Sequence, residues 1–256
     1  MKENLFNLEG KVALVTGADG LLGRQFCKAL KEYGCVVVEA DKEYIVSFNG
    51  DEMVMLFDVT KKELWVDIFG EIQSWFGHID ILVNCAAYTN QTKTVNFSTS
   101  FEDMPLGDWN NLLDVNLTGT MLGCQVIGKQ MLKQGFGSII NIASLYGLVA
   151  PHHPIYKGTG VSQPIGYSIS KAGVLALTRY LGTLWASKGV RVNCITPGGV
   201  RNGHGEEWLK RYSELCPMGR MAEPDEMNGA LVYLASDASK YVTGSNIVVD
   251  GGWTAW

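Results

Sequence analysis

Apolar residues along this chain come in short dense runs. The segments "KVALVT" (11–16), "CVVVEA" (35–40), "EMVMLF" (52–57), "DILVNC" (80–85), "SIINIA" (138–143), "VRVNCIT" (190–196) and "NIVV" (246–249) are mostly apolar at nearly every position. Such runs predict strands buried on both faces, as in a parallel sheet. Between them, the stretches 20–33, 61–76, 108–134, 167–188 and 224–236 follow helical spacing. Alternation of this kind predicts a doubly wound, Rossmann-type α/β fold, with about seven strands and helices on both faces. No repeat, low-complexity tract or linker breaks the alternation, so residues 1–256 read as one domain.

Three stretches depart from the pattern. Residues 41–52 are too short and irregular for a full crossover helix. Residues 145–166, "LYGLVAPHHPIYKGTGVSQPIG", are rich in proline and glycine and predict a long loop. Residues 197–219 predict another, holding a short helix at "EEWLKRYSEL". The two later loops follow strands, at the edge where ligands bind in open α/β sheets.

Composition narrows the classes. Hydrophobic residues make up 46% of the chain and charged residues 18%, enough for a sizeable core. The net charge is −5 and no basic run is present, which argues against nucleic acid as a partner. The N-terminal segment has no secretory pattern, and no apolar window is long enough to predict a membrane span. The six cysteines form no C-x-x-C pair and lie mostly in apolar segments, as expected of reduced thiols in a cytoplasmic protein. The neighbouring histidines His152 and His153 have no carboxylate or cysteine close by, so no metal site is expected.

Candidate chemistry lies at two ends. "VTGADGLLGRQF" follows the first strand and opens the first helix, with Gly17, Gly20 and Gly23 spaced to bring backbone close to a pyrophosphate. Asp41 ends the second strand, where a carboxylate can accept from ribose hydroxyls and repel a 2′-phosphate. That favours NAD over NADP, although Lys42 beside it could meet a phosphate. Asp58 ends the third strand and could contact adenine or cap the next helix. At the other end, Tyr167 and Lys171 stand four apart on one predicted helix face. An ammonium beside a phenol favours the phenolate, and a tuned phenol suits acid–base work on an alcohol. Ser144 ends a strand with a hydroxyl that could hold a substrate oxygen. Asn116 lies within an apolar helix, where its amide needs a partner.

Together these motifs resemble the short-chain dehydrogenase/reductase family over essentially the whole chain. The matching pieces are "TGADGLLG" (16–23), Asp41, Asp58, "VNCAA" (83–87), Asn116, Ser144, "YSISK" (167–171), "RVNCITPGG" (191–199) and "VVDGG" (248–252). The resemblance implies a catalytic set of Asn116, Ser144, Tyr167 and Lys171. In the family the Tyr is the acid–base, the Lys lowers its pKa and binds the nicotinamide ribose, the Ser holds substrate oxygen, and the Asn holds a relay water. It further implies cofactor contacts from Gly17, Asp19, Gly20, Leu21, Leu22, Gly23, Asp41, Asp58, Val59, Asn84, Ala86, Ala87, Tyr167, Lys171, Pro197, Gly198, Val200 and Asn202.

The chain departs from the family pattern in three places. The middle glycine of the turn is displaced by one, to Gly20, which leaves the local turn geometry open. Cys85 and Ala87 stand where the family's "NNAG" has its second Asn and its Gly, and Asn202 where a Thr is frequent. From Ser144 to Tyr167 is 23 positions, longer than the family's usual spacing. This inserted stretch leaves Ser144 and returns to Tyr167, so it is expected beside the substrate, with Tyr156, Lys157 and Gln163 as polar contacts. Lys157 and Arg201 could serve an anionic group. The loop's wording is similar to a branch of the family found among enzymes of bacterial surface-sugar and flagellin modification. That implies a sugar, sugar phosphate or nucleotide sugar as the small-molecule substrate. The apolar ending "VVDGGWTAW" is expected at an interface of a homodimer or homotetramer.

The leading expectation is an NAD-dependent oxidoreductase interconverting a secondary alcohol and a ketone. The alternatives are an NADP-dependent carbonyl reductase and a non-catalytic NAD(H) sensor.

Overall fold

The computed structural model describes residues 4–42, 47–49, 52–89, 95–159 and 162–256. One eight-stranded sheet runs through it. The strands are β1 (Val12–Thr16), β2 (Val36–Asp41), β3 (Ser47–Asn49), β4 (Glu52–Leu56), β5 (Ile81–Asn84), β6 (Gly137–Ile142), β7 (Val190–Pro197) and β8 (Asn246–Val249), in the spatial order β3-β4-β2-β1-β5-β6-β7-β8. Seven strands are parallel, and β3 pairs antiparallel with β4. The irregular stretch 41–52 therefore carries a short edge strand in place of a crossover helix.

The helices are α1 (Leu21–Glu32), α2 (Lys62–Phe76), α3 (Leu106–Leu113), α4 (Thr120–Gln134), α5 (Ile165–Trp185), α6 (Glu206–Leu215) and α7 (Asn228–Ala235). Left-handed glycines, Gly77 and Gly135, close α2 and α4. The sequence predicts one helix over 108–134; the structure divides it, with a π-helical turn over Asp114–Gly119 between α3 and α4. Periodicity alone does not show this, because a π turn adds a residue without breaking the apolar stripe. Helix α5 starts two residues ahead of its predicted start, which puts Tyr167 in its first turn.

Side chains alternate across each strand, so each buried run feeds two cores. Strand β1 sends Val12 and Leu14 into a cluster with Trp65, Ile127, Ile139 and Trp185. It sends Ala13 and Val15 to the opposite face, against Phe26, Ile140, Ile195 and Leu231. Among the described residues no helix is long and apolar enough to cross a membrane.

The C-terminal tail packs in part on α6. Trp253 is buried in its own chain, stacked on Tyr212 with ring centroids 4.4 Å apart. The Asp250 carboxylate holds the tail's turn, accepting from the N–H groups of Gly252 and Thr254 and from the Thr254 hydroxyl. Trp256 remains exposed.

Candidate active site

A cleft of about 1010 Å³ runs along the carboxyl ends of the strands. It is centred where β1 and β5 lie side by side and the chain changes direction across the sheet. Thr16 joins the two strands there, its hydroxyl accepting from the N–H groups of Cys85 and Ala86. Just beyond, Gly17 takes a positive φ of 67°, and a Cβ on it would lie 2.6 Å from Ala86 Cα. A Cβ on Gly23 would meet the Gly17 carbonyl oxygen at 2.0 Å. The displaced middle glycine is less demanding. Gly20 is the N-cap of α1 in an extended conformation that other residues adopt. The turn thus keeps a glycine at both positions where steric contact requires one. No side chain caps α1, and Gly17, Gly20 and Leu21 at its start line the cleft.

Asp41 lies at this end of the cleft, its Oδ2 accepting from the Asp19 N–H at 3.0 Å. Asp19 in turn pairs with Arg24 at 2.7 Å. The Lys42 ammonium sits 5.0 Å from the centre of the Tyr88 ring. Asp58 does not cap α2. Its Oδ1 accepts from the N–H and hydroxyl of Thr60 in a local turn, while Lys61 stands at the N-cap.

At the other end, Ser144, Tyr167 and Lys171 share the cleft wall. Ser144 leaves β6, and its Oγ accepts from the Tyr146 N–H at 3.2 Å. Burial holds the Tyr167 phenol above its ordinary pKa, opposed by the neighbouring Ser144 hydroxyl. Lys171 is buried, and its Nζ donates to the Ile142 carbonyl at 2.8 Å, 5.8 Å from the centre of the Tyr167 ring. Burial pushes its pKa down to about 8, partly offset by the nearby Cys85 and Cys194 thiols. Burial is the largest influence on both groups, because both are withdrawn from water.

The lid residues group around aromatic rings. The 145–166 loop and α6 share an apolar cluster that includes Leu145, Ile155 and Tyr212. His204, Trp208, Tyr212 and Trp253 stack in series, with centroid separations of 4.5, 5.3 and 4.4 Å. Tyr146, Tyr156, Thr159, Gln163, His204 and Trp208 line the cleft beside Ser144. Of these, Tyr146, His204 and Trp208 were not singled out from the sequence. For Trp208 the aromatic spacing within "EEWLKRYSEL" is the available signal.

Most of the sequence-derived site residues line this cleft, and four do not. Asn84 is buried beneath the sheet edge: its Nδ2 donates to Asn141 Oδ1 at 2.9 Å, and Asn141 donates to the Thr178 hydroxyl at 3.0 Å. Asn116 is fully buried, with its amide engaged by the Tyr88 backbone and Ser170. Lys157 is exposed, and its carbonyl is held by Arg211. Arg201 points to Glu223, in an ion pair of 3.0 Å. Sequence alone does not show which way such exposed loop side chains turn, because that is set only once the loops pack. His152 and His153 are both exposed, and no metal-binding cluster occurs among the described residues.

A doubly wound sheet with a glycine turn at its switch point, and a Ser, Tyr and Lys together in the same cleft, defines a dinucleotide-linked oxidoreductase. A family model described as Enoyl-(Acyl carrier protein) reductase matches residues 19–254. D-threitol dehydrogenase of Mycolicibacterium smegmatis is 35% identical, over 97% of this chain and 95% of that protein. A short-chain dehydrogenase from Leptospira borgpetersenii, solved with bound NAD+, is 31% identical with a TM-score of 0.89, covering 99% of this chain and 97% of that one. A gluconate 5-dehydrogenase from Burkholderia cenocepacia, solved with NADP and tartrate, is 27% identical with a TM-score of 0.83, covering 98% of each chain. The protein belongs to the short-chain dehydrogenase/reductase family and is an NAD(P)-dependent oxidoreductase.

Proposed function

We propose that the protein is an NAD-dependent dehydrogenase that interconverts a secondary alcohol of a sugar or polyol with the corresponding ketone, using Tyr167 as the acid–base. The observation that carries this reading is the placement of Ser144, Tyr167 and Lys171 on one wall of the cleft, with the Lys171 ammonium fixed by the Ile142 carbonyl.

The cleft fits a dinucleotide. Gly17 and Gly23 leave room that a Cβ would fill, and the start of α1 offers unserved N–H groups to a pyrophosphate. Asp41 favours a free ribose 2′-hydroxyl over a 2′-phosphate, which supports NAD. The bound nicotinamide supplies or takes up the hydride. Ser144 Oγ holds the substrate oxygen. Tyr167 takes the hydroxyl proton in oxidation and returns it in reduction. Lys171 stabilises the phenolate that forms when Tyr167 gives up its own proton. Asn116 acts at a distance, by fixing the Tyr88 loop against α5.

This reading includes a single catalytic domain, a cytoplasmic location and assembly into a homodimer or homotetramer. The polar groups around Ser144 support a sugar, sugar phosphate or nucleotide sugar over a wholly apolar substrate. The place in surface-sugar or flagellin modification rests on the wording of the 145–166 loop alone.

The test follows reduced-cofactor absorbance with NAD and NADP against sugars, sugar phosphates, nucleotide sugars and simple secondary alcohols. Wild type and Tyr167→Phe run side by side. NAD-linked turnover lost in the variant is the expected result. Turnover that survives the substitution would rule out Tyr167 as the acid–base, and NADH binding with no turnover would point to a sensor.

A further inference from the structure

We infer that Tyr146 and Tyr156 form a hydroxyl-reading pair that selects a polyol, by binding a second substrate hydroxyl, over a simple secondary alcohol. The inference rests on the reading above, in which Ser144 and Tyr167 hold the reacting oxygen.

The two phenolic oxygens are 2.7 Å apart, and both side chains line the cleft shared by Ser144 and Tyr167. Two phenols carry two protons. One lies between the oxygens, and the hydroxyl that accepts it keeps its own proton to give. No other hydrogen bond to either phenol occurs among the described residues. A half-buried O–H without an acceptor is costly unless water or a ligand supplies one. Burial raises both pKa values, that of Tyr156 to about 12, so both groups stay neutral donors. The pair thus presents one O–H and open lone pairs, the complement of an alcohol hydroxyl, which both donates and accepts.

Position ties the pair to the reacting centre. Tyr146 follows Ser144 by two residues, and its N–H donates to Ser144 Oγ. Ionisation of Tyr167 would be felt by both phenols. Tyr156 arrives on the inserted loop, in a short 3₁₀ turn over His153–Tyr156. Arg211 of α6 donates to the carbonyls of Ile155 and Lys157, and Glu207 holds Arg211 at 3.0 Å. Ile155 is buried in the cluster under the loop. These contacts already anchor the loop. Two apolar rings would fill the same space, so anchoring leaves the paired hydroxyls unexplained.

The test compares the four-carbon tetrol threitol with butan-2-ol. Both are offered to wild type, to Tyr146→Phe/Tyr156→Phe and to each single variant. Turnover is followed by NADH absorbance, and binding by tryptophan fluorescence, since the Trp208 ring lies 6.2 Å from that of Tyr156. The double variant is expected to lower the threitol-to-butanol ratio, in kcat/KM and in affinity, by about tenfold, the effect of one lost hydrogen bond. One single variant should reproduce most of that loss. A ratio that falls less than threefold in both readouts, or equal losses on both alcohols, would overturn the inference. Thermal melting of each variant separates a folding defect from a change in selectivity. Fluorescence on Tyr167→Phe keeps the two readings apart: its turnover decides the acid–base assignment, while its binding ratio should match wild type.

Discussion

Asn116 and Tyr88 are joined in the manner of two strand residues: Asn116 Oδ1 accepts from the Tyr88 N–H at 2.7 Å, and its Nδ2 donates to the Tyr88 carbonyl at 3.3 Å. The same Nδ2 reaches Ser170 Oγ at 3.2 Å, and Ser170 donates to the Tyr167 carbonyl at 2.7 Å. One buried amide thus connects the loop after β5, the π turn and the first turns of α5. Asn116→Leu leaves the Tyr88 N–H and carbonyl without partners. It should cost about 2 kcal/mol in urea unfolding, the penalty for stranded buried polar groups. Turnover should fall with it.

The glycine turn is expected to show a sharp asymmetry. Gly23→Ala places a Cβ against the Gly17 carbonyl and should weaken NADH binding about tenfold or more. Gly20→Ala meets the same oxygen only at 3.1 Å, from an extended N-cap conformation, and should change binding by no more than about threefold. Fluorescence titration with NADH checks both.

Asp41 should set the cofactor. Asp41→Ala removes the negative charge and the acceptor of the Asp19 N–H. The ratio of kcat/KM for NADP over NAD should rise about tenfold or more, as repulsion of a 2′-phosphate is relieved. An unchanged ratio would show that Asp41 does not discriminate between the cofactors.

Lys171 makes stability depend on pH. Its folded pKa, about 8, lies below the ordinary value of 10.5. Between those values the unfolded chain binds more protons, so stability rises with pH across that window. Below pH 8 the cost of burying the charge is present in full. Lys171→Met removes this dependence. The stability of wild type relative to that variant should therefore improve by about 2 kcal/mol from pH 8 to pH 10. Urea titrations of both proteins at the two pH values measure the difference.

Arg211 should govern the lid without touching the chemistry. Arg211→Ala frees the carbonyls of Ile155 and Lys157. Local opening of the 153–159 turn should become easier by about 1 kcal/mol, seen as faster limited proteolysis there. KM should rise more than kcat falls.

By itself the sequence determined the layered architecture and most of the cleft. Dense apolar runs such as "VALVT" and "IINI" can be satisfied only as strands covered on both faces, and the residues following such strands must gather at one edge. Gly17, Asp41 and Ser144 follow such strands and lie in the cleft for that reason, while Tyr167 and Lys171 were legible from their four-residue spacing on one helix face. Tertiary structure decided what depends on partners distant in the chain. Asn84 looks like a cleft residue in sequence, but the β5–β6 register sets it against Asn141 and turns it inward. Arg201 looks like an anion contact, but Glu223 pairs with it once the loops pack, and Lys157 stays on the exposed side of its loop, outside the cleft lining. Trp253 reads in sequence only as part of an apolar tail, and the folded chain stacks it on Tyr212. The link from Asn116 to Tyr88 and the meeting of Tyr146 with Tyr156 have no periodic signature, because each is a hydrogen bond between segments that only the folded chain brings together.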